Sequence, residues 1–119
     1  MSISAYQRVR TIAESPRHTE FRLVTQVTGE MIVAREAGLT GAALMPALHR
    51  NREMWGAFAS ACGAQGNGLP AELRAGIISL SLWVDRFTSD VVTGREPLDD
   101  LIEVNRQLLE GLAPEKMAA

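Results

Sequence analysis

The 119-residue chain contains very little of several residue types that common functions require. Cys62 is the only cysteine, so an internal disulfide is excluded and the thiol cannot by itself form a metal cluster. Lys116 is the only lysine, and 12 basic against 14 acidic residues leave a net charge of −2. This balance argues against a protein that coats nucleic acid or membranes by charge alone.

Long apolar runs are also missing. The longest stretch without charge, Met54–Ala71, is interrupted by glycines and a proline, whereas a membrane-spanning helix needs about 20 apolar residues. The N-terminal sequence MSISAYQRVRTIAES lacks the apolar segment of a secretory signal. We therefore expect a cytoplasmic protein that does not enter a membrane.

The stretch Leu69–Gly94 carries the strongest helix pattern in the chain. The proline near its start suits a first helical turn, and the glycine at its end suits a C-terminal cap. Its apolar residues recur at spacings of four and three, as on one face of a helix: Leu73, Ile77, Leu80, Val84, Phe87 and Val91. Leu82 and Trp83 add apolar surface beside this face, which requires neighbours on more than one side. We therefore predict a central helix near residues 70–93.

Further helices are expected on both sides of this one. A short first helix is expected at 3–14. The Ser-Pro pair at 15–16 is typical of an N-cap followed by proline in the first turn, which predicts a second helix to about Ala37. A last helix is expected to begin at Pro97 and to end before Pro114.

A third helix is expected at about Ala42–Ala61, with Pro46 either inside it or in its first turn. An interior proline costs about 3 kcal/mol or more, which favours a start at Met45. No segment shows the period-two alternation of a strand. We predict an all-α fold, a small single-domain antiparallel helical bundle of about five helices, with an ordered core at about 3–113 and a frayed tail at 114–119.

Residues that could carry chemistry are few and lack partners in the sequence. His49 and Glu53 stand one turn apart, which is half of many metal sites but is also an ordinary pair on a helix surface. His18 has no ligand at a suitable spacing, and Cys62 is interpreted as a small core residue. We therefore expect no enzyme activity, no catalytic residues, no metal and no cofactor.

Arginines form two basic groups in the sequence. One is the run His49–Arg52, and the other consists of Arg8, Arg10, Arg17 and Arg22. Arginine can contact phosphate and stack on bases, so RNA binding is one interpretation. Only 5% of the residues are aromatic, and no aromatic platform is interleaved with the charges. A solvated polar face is the favoured interpretation, and direct binding of nucleic acid is not expected.

Several motifs resemble the FlaF family of flagellar biosynthesis regulators from alphaproteobacteria. The resemblance extends from Ala5 to Leu112. It rests on AYQRV with SPRHTEFRLV, on ALHRNREMW, and above all on LPAELRAGIISLSLWVDRFTSDV with the following IEVNRQLLEGL. The resemblance implies a small cytoplasmic protein without enzymatic motifs. It also implies a chaperone that binds flagellin before export and acts with the regulator FlbT on flagellin synthesis, with the flagellar export machinery as a further partner.

A helical bundle with a free apolar groove can receive an amphipathic flagellin helix. Our hypothesis places this groove between the third helix and a neighbour, on six residues: Leu48, Arg50, Arg52, Met54, Trp55 and Phe58. Trp55 and Phe58 would be the anchors, and the two arginines would form the rim. Alternatively, the apolar residues belong to the core. Two other functions stay open, namely a protein adaptor for FlbT and a regulator that contacts flagellin mRNA directly.

Overall fold

The computed structural model describes residues 16–112, and four α-helices fill most of this range. The helices are α1 (Pro16–Glu36), α2 (Met45–Gly63), α3 (Ala71–Val92) and α4 (Asp99–Leu112), with a 3-10 turn at Gly41–Leu44. These described residues contain no strand, which confirms the all-α class. Four helices are described where about five were expected. The expected helix at 3–14 and the expected tail at 114–119 lie outside the described residues.

Local signals in the sequence set the ends of the helices. Pro46 lies in the first turn of α2, as the start at Met45 requires. Gly38 and Gly94 follow α1 and α3 with φ of 69° and 77°, a conformation that glycine adopts without strain. The amide after each glycine donates to a carbonyl five residues back, from Arg95 to Asp90 for example, which satisfies the last carbonyls of the helix.

The helices pack as two pairs. α2 makes its largest contact with α3, and α1 makes its largest contact with α4. The contact between α1 and α2 joins the two pairs, while α3 and α4 barely touch. The up-and-down order makes each helix antiparallel to the one before it in the chain, as expected for short connections.

α2 holds the central position that the sequence analysis gave to the helix near residues 70–93. That helix exists as α3, but it buries only the face with Ile77, Val84 and Val91. The rings of Trp83 and Phe87 stack on each other at 4.6 Å and stay half-buried. The wide apolar stripe of α3 predicted that helices pack against it on more than one side. Instead, the side chains of Trp83 and Phe87 partly cover each other.

One continuous core joins the four helices. Each helix contributes side chains with almost no exposed surface, and the cluster includes Val24 and Met31 from α1, Leu48 and Trp55 from α2, Val84 from α3, and Leu101 and Ile102 from α4. Polar side chains interrupt this apolar core at four places, namely Thr28, Asn51, Thr88 and Asn105. None of the described helices is long and apolar enough to cross a membrane.

Truncation of a core leucine tests this arrangement. Leu101 has no exposed surface, so Leu101→Ala should lower the free energy of unfolding by about 2–5 kcal/mol. Leu82 is 60% exposed, so Leu82→Ala should stay within about 0.5 kcal/mol of the unmodified protein. Urea unfolding followed by helical circular dichroism measures both values. Equal unfolding midpoints for the two variants would contradict the placement of α4 in the core.

Candidate functional site

The apolar residues of the hypothesised partner site lie mostly in the core. Leu48 and Trp55 are each 1% exposed, and Met54 is 4% exposed. These three side chains therefore present no surface to a partner in this conformation. The alternative interpretation, that they are core residues, describes their position. Phe58 is half-buried and lines a cavity of about 20 Å³ at the end of α2.

Arg50 and Arg52 are accessible, but both are paired with residues of other helices. Arg50 of α2 forms an ion pair and hydrogen bond with Glu30 of α1. Arg52 donates through Nη2 to the carbonyl oxygen of Asp85 at 2.8 Å and to Ser89 Oγ at 3.1 Å, both on α3. Its Nε also lies 3.0 Å from the Asp85 carboxylate, as an ion pair whose N–H points elsewhere. The two arginines thus connect α2 to both of its neighbours.

These pairs reduce the net positive charge that the basic run His49–Arg52 presents at the surface. His49 contacts Glu53 one turn on, and both arginines of the run contact carboxylates. Asn51 is fully buried. A run that is dense in basic residues along the sequence therefore presents a balanced set of charges at the surface. Phosphate binding requires positive charge that is not already neutralised.

An apolar groove lies beside the Arg50–Glu30 pair, between α1 and the start of α2. Its volume is about 480 Å³, and its lining is formed by Glu30, Val33, Ala34, Leu39, Ala43, Pro46, Ala47 and Arg50. Val33 is 69% exposed and Leu39 is 40% exposed, which is high for such side chains. Arg50 therefore borders a groove between α2 and its neighbour α1. The apolar floor consists of other residues than those the sequence suggested.

A buried hydrogen-bond network centres on Asn105 of α4. Its Oδ1 accepts from Trp55 Nε1 at 2.8 Å, and its Nδ2 donates to Thr28 Oγ1 at 3.0 Å and to Asn51 Oδ1 at 2.8 Å. Thr28 in turn donates to the carbonyl of Val24. The amide of one side chain thus holds α4 against both α1 and α2.

The network has one unmatched group among the described residues. Asn51 accepts through Oδ1, but its Nδ2 has no hydrogen-bond partner and is fully buried. An unpaired buried donor costs about 1–3 kcal/mol. Asn51 and Asn105 both occupy positions in the apolar stripes of their helices. A polar residue in an apolar stripe was the signal in the sequence that could have identified both as members of a buried network. Thr28 could not be identified as the partner of Asn105, nor Glu30 as the partner of Arg50, because the members of each pair lie 77 and 20 positions apart along the chain.

The described side chains do not assemble a metal site. No group of three His, Cys, Asp or Glu residues within that part of the chain comes close enough to hold an ion. His49 has Glu53 beside it without a third ligand. The side chain of His18 lies outside the described set.

The geometry first defines a class: an all-helical protein in which ion pairs of Arg50 and Arg52 connect helices and in which the exposed Val33 and Leu39 border an apolar groove. A family model for the flagellar protein FlaF matches residues 2–112, which is nearly the whole chain. The chain therefore belongs to the FlaF family of flagellar proteins. A comparison with curated proteins finds no match, and a comparison with solved structures finds none either.

The hydrogen-bond network predicts that alanine substitutions of Asn105 and Asn51 lower the free energy of unfolding by different amounts. Asn105→Ala leaves Trp55 Nε1 and Asn51 Oδ1 without a buried partner and removes the bond to Thr28, which keeps its bond to Val24. It should destabilise the protein by about 3 kcal/mol or more. Asn51→Ala removes one acceptor together with a donor that is already unpaired, so it should cost about 1–2 kcal/mol. Urea unfolding of both variants measures the difference. A larger loss for Asn51→Ala would contradict the central role of Asn105.

Proposed function

We propose that this flagellar protein binds flagellin in the cytoplasm as a chaperone and promotes its synthesis and secretion together with an FlbT-type regulator. The observation that carries the proposal is the match of the FlaF family model over residues 2–112. Delivery of bound flagellin to the flagellar export machinery belongs to the same proposal. A chaperone of this kind needs a surface that recognises apolar helices and needs no catalytic group.

The groove between α1 and α2 supports the proposal as the docking surface. Terminal flagellin segments are amphipathic helices, which must not polymerise before export. Such a helix can lay its apolar face into a groove through anchors at i, i+3, i+4 and i+7. Val33 and Leu39 offer exposed apolar contacts, and the Arg50–Glu30 pair offers a polar edge. The partner site is therefore proposed on this groove, with Arg50 retained from the original hypothesis.

A second candidate function is post-transcriptional regulation of flagellin, either as a protein adaptor or by direct contact with mRNA. The pairing of His49, Arg50 and Arg52 with carboxylates favours the adaptor over the RNA contact. An adaptor would use the same exposed apolar residues to bind FlbT. Binding of purified flagellin and FlbT, measured separately, distinguishes a chaperone from an adaptor.

A charge placed in the groove should weaken flagellin binding. Val33→Glu puts a carboxylate on the groove floor, where an apolar contact is proposed, and should raise the dissociation constant at least tenfold (about 1.4 kcal/mol). Leu82→Glu is the matched control, since Leu82 is similarly exposed but lies on α3, outside the groove. Fluorescence anisotropy with labelled terminal segments of flagellin measures both variants.

Different results of this binding experiment would contradict the position of the site and the chaperone function. Equal affinity of Val33→Glu and the unmodified protein would place the flagellin site elsewhere on the surface. Failure of the unmodified protein to bind any flagellin segment would overturn the chaperone function and leave the adaptor. Both substitutions are at exposed positions, and the unfolding midpoint should confirm that each variant stays folded.

RNA binding has its own test. The purified protein should show no saturable binding to the flagellin leader RNA at physiological salt, because the arginines of the 49–52 run are already paired. Any association at low salt should fall steeply with added salt through counterion release. Tight, leader-specific binding at physiological salt, measured by filter retention, would favour direct regulation of the message.

A further inference from the structure

The contacts within the α2–α3 pair differ from those between the two pairs. Within this pair, Arg52 reaches the carbonyl of Asp85 and the hydroxyl of Ser89, and Ser81 Oγ donates to the carbonyl of Trp55 at 3.2 Å. These bonds accompany the largest helix contact in the described structure. The α2–α3 pair is therefore held together independently of α1 and α4.

The contact between α1 and α2, which joins the two pairs, is smaller than the contact within either pair. Described side-chain interactions that cross the seam between the pairs include those of Trp55 with Asn105, Asn105 with Asn51, and Arg50 with Glu30. The buried Nδ2 of Asn51 has no described partner at this same seam. Separation of the pairs would let water reach this unsatisfied donor and would leave the helices themselves intact. The seam is thus a boundary at which the two pairs can separate while the large contact between α2 and α3 stays intact.

The chain connects the two pairs at one end only. Residues 37–44 lead from α1 to α2, and residues 93–98 lead from α3 to α4. Both segments border one surface hollow, together with Leu44 and Val91. Each contains glycine at positive φ: Gly38 and Gly41 in the first, Gly94 in the second. The remaining connection, 64–70, joins α2 to α3 within one pair.

The opposite end lies away from both connections between the pairs, and we call it the mouth. Pro16 of α1 and Leu112 of α4 lie at this end, and within residues 16–112 no connection joins the two pairs there. A cavity of about 20 Å³ lies at this end among all four helices and the 64–70 loop, lined by Glu20, Phe58, Ala61, Cys62, Asn67, Leu69, Ile77 and Leu108. The described side chains therefore leave a small space where the two pairs meet.

We propose that the bundle opens between the α1–α4 pair and the α2–α3 pair, turning about the 37–44 and 93–98 connections, with the Asn105 network and the Arg50–Glu30 pair as the latch. Opening uncovers the face of α2 that carries Trp55. This face was the one that the sequence analysis assigned to partner binding. The opening is a property of the free chain and does not depend on flagellin as the partner.

Chemical labelling of the Cys62 thiol can detect this opening. It is the only cysteine in the chain, it is 4% exposed, and it lines the cavity at the proposed mouth. Rigid separation of the pairs keeps the helical hydrogen bonds, so amide exchange would report it poorly. Thiol labelling proceeds through attack by the thiolate and requires that the reagent reaches Sγ. The rate of labelling by an excess of an aromatic disulfide therefore measures how often the seam opens.

Labelling of the unmodified protein should be at least tenfold faster than global unfolding allows, with a weaker dependence on urea. Asn105→Ala should accelerate it about tenfold further, because the main latch contact is lost. Arg50→Gln weakens the other latch contact, the Arg50–Glu30 pair. This variant can still test the proposal if Asn105→Ala fails to fold. It should also accelerate labelling, by a smaller factor that matches a partly exposed ion pair.

Two matched controls separate opening from other motions. Ser81→Ala removes a bond within the α2–α3 pair, so it should leave the labelling rate unchanged. Asn67→Ala disturbs only the loop beside Cys62, because Asn67 bonds to Ala61 and Leu69. Acceleration by Asn67→Ala with no effect of Asn105→Ala or Arg50→Gln would show local fraying and overturn the proposal. A labelling rate with the full urea dependence of global unfolding would overturn it as well.

Discussion

The side-chain amide of Asn105 is the contact on which the position of α4 depends. Apolar residues such as Leu101 and Ile102 supply most of the buried area, but they would pack almost equally well after a small rotation of the helix. A buried amide tolerates no such shift, since each of its three hydrogen bonds has a fixed direction. The network therefore selects one arrangement of α1, α2 and α4 from several that the apolar core permits.

The arginines of α2 have a related role at the surface. Arg50 reaches α1 and Arg52 reaches α3, so the basic side chains of the central helix point to both neighbours. A guanidinium group can hold several acceptors at once, as Arg52 does, which a lysine ammonium on a flexible stem does less well. The consequence for function is a surface without excess positive charge around α2.

The sequence predicted the helices better than their arrangement. Pro46, Gly38 and Gly94 mark helix ends through local backbone chemistry, so the ends of α1, α2 and α3 followed within one or two residues. The sequence left open whether Trp55 belongs to the core or to a partner groove, because periodicity could not show which helix covers its face. The position of α4 depends on a network whose members are up to 77 residues apart, and the groove depends on α1 and α2 together. Residue spacing along one helix contains no information about such contacts.

The two helix pairs also differ in when they can form during synthesis. α2 and α3 are neighbours in sequence, so their large contact can form as soon as both have left the ribosome. α1 emerges first, but its main partner α4 is the last described helix of the chain. Until α4 has been translated, Trp55 lacks its hydrogen-bond acceptor and Thr28 lacks its donor. The nascent chain thus carries an uncovered apolar face until its final helix emerges.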